Sequence, residues 1–228
     1  LGDDGQKLSK RRGAVSVTAY EENGYLPEAM LNYLARLGWS HGDDELFSRA
    51  QMVEWFDGEH LSKSPAQWDP AKLDWVNGHY VKQIDEARLA DLVVKQLANQ
   101  GIVVTVEQIQ PKLGLFKDRC ATVAALAGWL AMYFAPAQPT AEALAAHVTD
   151  AVRPALGVLA ERLGALIDWN KATIQQALKE TLVATGLKMP QLAVPVRVLV
   201  CGREQTPSLD AVLEHFDKKK VLERLQSS

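Results

Sequence analysis

Residues 15–40 read VSVTAYEENGYLPEAMLNYLARLGWS, and their spacing decides the fold class. Pro27 suits the first position of a helix, where its missing N–H costs nothing. Leu26, Met30, Leu34 and Leu37 then recur at helical spacing, and Gly38 follows as a terminator. The pattern predicts a helix over about 28–37. Thr18 with the acidic pair Glu21 and Glu22 predicts a shorter helical turn before it.

The same signals continue along the chain. Short helices are predicted over 48–56 and 64–68, and another opens at Asp69-Pro70 with Leu73 and Val76 facing inward. Asp85 caps a helix carrying Leu89, Leu92, Val93 and Leu97, ended by Gly101. Thr105 caps the next, with Ile109 and Leu113 inward and Pro111 inside it. Asp118 or Lys117 opens a long apolar helix carrying Val123, Leu126, Trp129, Leu130 and Tyr133. The run Ala135-Pro136-Ala137-Gln138-Pro139-Thr140 reads as a boundary. Helices come next over 141–150, 152–165, 171–185 (closed by Gly186) and 208–225, the last capped by Ser208 and broken near Asp217. Pro195 to Val200 is β-branched and reads as strand by propensity alone. No second strand of that quality exists to pair with it, so helix is preferred there. The expected fold class is all-α.

A chain of 228 residues has room for one to three small domains. With 47% hydrophobic and 23% charged residues it has the composition of an ordinary globular chain. No apolar run approaches the roughly 20 residues of a membrane helix, and the start, LGDDGQKLSKRRG, has no signal-peptide character. That start also lacks Met, so the chain is expected to be a piece of a longer protein. Cys120 and Cys201 sit in apolar surroundings and are expected to be buried thiols, as in a reducing cytoplasm. The five histidines show no ligand spacing, and no metal site is expected. Net charge is −3, so any nucleic-acid site must be a local basic patch, drawn from Lys10, Arg11, Arg12, Arg119 and Lys218 to Lys220.

One segment carries chemistry. Lys7-Leu8-Ser9-Lys10-Arg11 lies among Gly2, Gly5 and Gly13. Lysines and a serine in a glycine-rich loop can grip a polyphosphate, with lysine acting as a point charge on oxygens that grow more negative in the transition state. Taken alone, such a pentamer is more often a solvated basic tail.

The residues downstream of the pentamer give it context. Tyr20, Gly24 to Ala29 (GYLPEA) and Asn32 to Trp39 (NYLARLGW) come in order. Gly42-Asp43-x-Glu45, Phe56-Asp57, Trp68-Asp69, Lys72-Leu73-x-Trp75-x-Asn77 and Lys117-Asp118-Arg119 continue the series. Pro195-Val196-Arg197-Val198 and Thr206-Pro207-Ser208-Leu209 complete it. This succession closely resembles the bacterial glutamyl-tRNA synthetase family, class I aminoacyl-tRNA synthetases, beginning just before their second signature loop. The resemblance spans nearly all of the chain.

The resemblance implies a division of the chain and a set of roles. Residues 1–86 would be the signature loop and stem-contact region, 87–135 and 136–228 the two parts of a helical anticodon-binding cage. The Rossmann-type catalytic domain would be absent: no histidine precedes His41, so the family's His-rich motif is not here. The whole protein would ligate glutamate to tRNA(Glu), using ATP with Mg2+, as a cytoplasmic monomer. This chain alone would be inactive. Lys10 would contact the ATP phosphates, Lys7 would position the loop, and Ser9 would add a hydroxyl or backbone contact. Leu8 and Arg11 stand where the wider class has methionine and serine. Arg119 would read the last anticodon base; otherwise it is a solvated helix-start residue paired with Asp118 or Glu142. A non-catalytic tRNA-binding module and a helical scaffold remain as alternatives.

Three further features have plainer readings. At least four of Trp39, Trp55, Trp68, Trp75, Trp129 and Trp169 are expected in the core. Gly42-Asp43-Asp44-Glu45 is expected to be a turn with an N-cap rather than a metal site. Lys218-Lys219-Lys220 is expected to be a solvated helix face rather than a phosphate contact.

Overall fold

Helix starts are written in the local sequence, and the computed structural model, which describes residues 16–226, follows them. The Ser48 hydroxyl accepts from the Gln51 N–H at 3.2 Å while the Gln51 side chain accepts from the Ser48 N–H at 2.9 Å, satisfying two donors that a helix start leaves orphaned. Carboxylates of Asp69 and Asp85 accept from Lys72 N–H and Arg88 N–H, each at 3.0 Å. Among the described residues there are helices and two isolated bridges, and no strand. The chain is all-α.

It divides after Trp129 into two compact units. The first holds α1 (Val17–Glu22), α2 (Pro27–Arg36), α3 (Arg49–Trp55), α4 (Pro70–Gln83), α5 (Glu86–Asn99), α6 (Val106–Phe116), a 3-10 turn (Lys117–Arg119) and most of α7 (Val123–Leu130). Here α2 packs on α4, and α5 on α6. The second holds a 3-10 turn (Ala131–Tyr133), α8 (Ala141–His147), α9 (Arg153–Ala165), α10 (Lys171–Thr185), α11 (Met189–Cys201), α12 (Leu209–Leu213) and α13 (Lys218–Gln226). In it α9 is flanked by α10 and α13, and α11 by α8.

Several expectations are corrected. No helix forms over 64–68. Five residues repay helix nucleation poorly, and tertiary contacts hold the segment instead. The Trp68 ring lies 4.9 Å from Tyr33 and 5.4 Å from Tyr20, and Asp69 N–H donates to the Tyr33 hydroxyl at 2.6 Å. The stripe on α2 is rotated: Ala29, Met30, Asn32 and Tyr33 face inward, while Leu34 is 45% exposed. The long apolar helix starts at Val123, not at Lys117 or Asp118, because Cys120 is extended (φ −112°, ψ 127°) and turns its thiol inward. Thr122 then caps α7, accepting from Ala125 N–H at 3.1 Å. It ends at Leu130, with a 3-10 turn reaching Tyr133.

Pro195 to Val200 is helical as preferred, yet the helix begins earlier, at Met189. Pro190 takes the first turn, and buried Pro195 lies in the interior, where its ring forfeits one backbone bond against the carbonyl of Gln191. The apolar side chains of Leu192, Ala193, Val196 and Leu199, all buried, offset that cost. The last predicted helix breaks next to Asp217, as expected, into two helices with residues 214–217 between them. Of the tryptophans, Trp39 alone is fully buried, at 5% exposure; Trp75 is 49% exposed and the other four are half-buried. An indole this large is seldom covered on all sides by units of this size.

Both cysteines are free and buried, as expected. Burial pushes the Cys201 thiol up to about 12 from its ordinary 9, against the opposing pull of Arg224, Arg197 and Arg203. The folded state thus holds this proton more tightly than the unfolded chain. The contribution is whole below pH 9 and is lost as pH rises from 9 towards 12. Denaturant unfolding across that window should show the native protein losing more stability than Cys201→Ala does. Parallel losses would mean that the thiol does not titrate as its burial dictates.

Candidate nucleic-acid interface

The turn bearing Arg119 is fixed from both sides. Phe116, fully buried, precedes it and stacks on Trp129 with centroids 5.5 Å apart and planes 20° from parallel. Cys120, buried, comes directly after it. Between these anchors the three polar residues are pushed outward. Lys117 Nζ pairs with Glu86 at 3.0 Å, tying the turn to the start of α5. Asp118 and Arg119 are exposed. Arg119 forms no ion pair with Asp118 or any other described residue. Its guanidinium is an outward fork of donors on a backbone anchored by buried residues on both sides.

That backbone is stitched to the loop before α2. Asn77, on α4 and 0% exposed, donates from Nδ2 to the Ala121 carbonyl at 2.5 Å and accepts from Leu26 N–H at 2.8 Å. Val123 N–H, an orphan donor at the start of α7, donates to the Gly24 carbonyl at 2.9 Å. Gly24 has φ +80°, and a Cβ there would lie 2.3 Å from Ala124 N, so only glycine fits. Sequence motifs include Asn77 without assigning it a role. The available signal is an asparagine on an apolar stripe between Leu73, Val76 and Val81, since mid-helix Asn is unfavourable without a partner.

The remaining candidates divide. Lys7, Leu8, Ser9, Lys10 and Arg11, with Arg12, lie outside the described residues. The three C-terminal lysines do not form a free patch. Lys218 Nζ donates to the carbonyls of Gly164 and Leu166 at 2.8 and 2.7 Å, closing the end of α9, and Lys220 Nζ donates to the Tyr133 carbonyl at 2.7 Å. Lys219 alone points to solvent, 3.7 Å from Glu223. The solvated-face expectation therefore fits Lys219 and fails for the other two.

Residues 42–45 form the expected turn, with Asp44 N–H on the His41 carbonyl at 3.1 Å, while the cap of the next helix is Ser48. Glu45 pairs with Lys72, whose hydrogen bond holds its carboxyl below the usual range. Lys72 Nζ also sits 4.1 Å from the centroid of exposed Trp75, a cation–aromatic arrangement. No group of three or more His, Cys, Asp or Glu among the described residues could hold a metal ion.

A groove of about 830 Å³ runs between α1, α2 and α5, lined by Val17, Tyr20, Leu31, Leu34 and Leu92. Its two cations are paired, Arg88 with Glu28 at 2.7 Å and Lys95 with Glu21 at 2.9 Å. Burial, the largest single influence, would raise the Glu28 carboxyl, yet the Arg88 hydrogen bond, a backbone hydrogen bond and the Arg88 charge together outweigh it and hold the group low. The groove is thus apolar with neutralised rims and is poorly suited to phosphate.

Comparison with known proteins accounts for both ends of this arrangement. The model described as anticodon binding domain matches residues 59–228. The chain belongs to that family. The model for the catalytic domain of class I tRNA synthetases (E and Q) matches residues 1–75, ending within α4. A glutamate–tRNA ligase from Leptothrix cholodnii is 58% identical over 228 residues, 100% of this chain and 49% of that protein. One from Polaromonas sp. is 54% identical over 226 residues, 99% of this chain and 49% of its own length. The chain spans about half the length of the relatives it matches. A crystal structure of a glutamate tRNA ligase from Elizabethkingia meningosepticum, in complex with its amino acid, superposes with a TM-score of 0.85 at 26% identity, covering 100% of this chain and 49% of that one. The all-α architecture is therefore that of an anticodon-binding region of a class I synthetase, and the Arg119 turn lies inside the part matched by the anticodon model.

The lysine contacts make a stability test. Lys218→Ala and Lys220→Ala should each cost about 1–2 kcal/mol by leaving carbonyls unmet. Lys219→Ala should stay within about 0.5 kcal/mol, as exposed pairs do. Urea unfolding of the three variants checks this, and an equal cost at Lys219 would show that helix charge, not carbonyl ligation, matters.

Proposed function

We propose that this chain is part of an enzyme that ligates glutamate to tRNA(Glu). A carboxylate oxygen of glutamate attacks the α-phosphorus of ATP and pyrophosphate leaves; a terminal ribose hydroxyl of the tRNA then takes the acyl group of the adenylate, giving up its proton, and AMP leaves. One observation carries the reading: relatives named glutamate–tRNA ligase match the chain along its whole length, with the catalytic-domain model at its start and the anticodon model over the rest. A pure RNA-binding module has no use for the first of these.

The labour divides along the chain. Residues 1–86 supply the signature loop and stem-contact region, and 87–135 and 136–228 the two parts of the anticodon-binding cage. Lys10 neutralises charge growing on the ATP phosphates as pyrophosphate departs. Lys7, Leu8, Ser9 and Arg11 shape the loop around it. ATP is a substrate, and Mg2+ enters with its phosphates. Arg119 presents its donor fork to the third anticodon base, where a planar guanidinium can bond the base edge or stack on its face. The enzyme works as a monomer in the cytoplasm. Among the described residues no helix is long and apolar enough to cross a membrane.

Two substitutions in the full-length protein test the assignment. Lys10→Ala should lower kcat for adenylate formation on the order of 100-fold, the scale of losing a transition-state donor, with little change in tRNA affinity. A raised KM for ATP at unchanged kcat would make Lys10 a ground-state binder instead. Arg119→Gln should cost roughly 1–3 kcal/mol against the cognate anticodon and relax discrimination at its third base. Aminoacylation of tRNAs differing at that base alone reads this out. A uniform loss would mark Arg119 as a phosphate contact, and no loss would remove it from the interface.

A further inference from the structure

Arg119 has no described partner, so nothing but its backbone aims it. That backbone is held at Ala121 and Val123, two and four residues on, by Asn77 and by the Gly24 carbonyl. Gly78, the next residue on α4, faces the same segment: a Cβ there would make ordinary van der Waals contact, 3.6 Å from the Ala121 Cα and 3.8 Å from the Cys120 carbonyl oxygen. The same Asn77 amide caps α2, whose N-cap residue Leu26 has no side chain able to accept a bond. One side chain thus clamps two segments far apart in sequence. One lies just after the Arg119 turn. The other joins α1, which begins a few residues after Arg11, to α2.

We propose that Asn77 is a positioning residue for anticodon discrimination, acting through the Ala121 carbonyl on the Arg119 turn and through the Leu26 amide on the loop between α1 and α2, downstream of the Lys7–Arg11 segment. This rests on Arg119 being the reader of the third anticodon base. The amide suits the task because its two ends are chemically opposite. One end must meet an N–H and the other a carbonyl, so the two segments can be joined in one register only. Wherever RNA draws on Arg119, the displacement meets the Asn77 clamp and reaches the α1–α2 loop.

Asn77→Asp keeps an acceptor for Leu26 and removes the donor to Ala121. The full-length protein is titrated with anticodon stem-loop RNAs differing at the third base, alongside Arg119→Gln, the double variant, and Val93→Ala as a core truncation away from the turn. Asn77→Asp should reduce the preference for the cognate base at least fivefold, the double variant should be no worse than Arg119→Gln, and Val93→Ala should leave the preference intact. If Arg119→Gln loses the preference while Asn77→Asp keeps it, the positioning role is overturned and the reading of Arg119 stands. If Arg119→Gln keeps it, the reading fails and the inference with it. A loss in Val93→Ala equal to that in Asn77→Asp would reduce the effect to general destabilisation and overturn the proposal. Should Asn77→Asp not fold, hydrogen exchange of the native protein decides. The RNA should raise protection at the amides of both Leu26 and Val123, and protection confined to residues 117–120 would overturn the clamp.

Discussion

The first unit depends on a rule about buried amides: each end must be satisfied, and by a partner of opposite kind. Asn77 obeys it with Leu26 and Ala121, and Asn32, 1% exposed, obeys it with a second pair of segments. Its Nδ2 donates to the Glu45 carbonyl at 2.9 Å, while its Oδ1 accepts from Phe47 N–H at 3.1 Å and from the Tyr80 hydroxyl at 2.9 Å. The chain from 56 to 69 is without helix and that from 37 to 48 has only turns and bridges, so neither can rely on a helical ladder. Two asparagines and the hydroxyls of Tyr33 and Tyr80 supply the missing order. Hydrophobic burial gives this unit its stability; the amides give it its register.

The second unit solves the same problem with cations. Arg224 donates to the carbonyls of Met132, Ala135 and Val200 and lies 5.4 Å from the Phe216 ring. Lys218 and Lys220 do likewise at other carbonyls. Helix C-termini leave four such groups unmet, and long basic side chains reach them while their stems cover apolar surface. Positive charge here is structural material, which is why a basic run in the sequence overstated the phosphate-binding surface.

How much was legible depends on which forces are local. Caps and periodicity are local, so Asp69, Asp85, Ser48 and Thr105 announce their helices within a residue or so. The all-α class was legible for that reason, and the family was legible from the order of residues such as Gly24 to Ala29 and Asn32 to Trp39. Tertiary choices were not. The rotation of α2 that buries Asn32 and exposes Leu34 is set by what those side chains meet across the unit. The start of α7 is set by a carbonyl at Gly24, about a hundred residues earlier. The start of α11 was hidden because two prolines compete for the first turn and only packing chooses between them. Arg119 was placed by resemblance. That it stands on a pinned 3-10 turn, and not at the head of the long helix, came from the buried neighbours on either side.

Each unit carries one cysteine, both buried. Cys120 closes the turn next to Arg119, and Cys201 ends α11. A thiol reagent can reach either sulfur only when its own surroundings open, so labelling rates measure the opening free energy of each unit without any added probe. The two sulfurs make the chain a pair of independent clocks. Loosening that begins around the anticodon turn would be timed by Cys120, and loosening at the far end of the chain by Cys201.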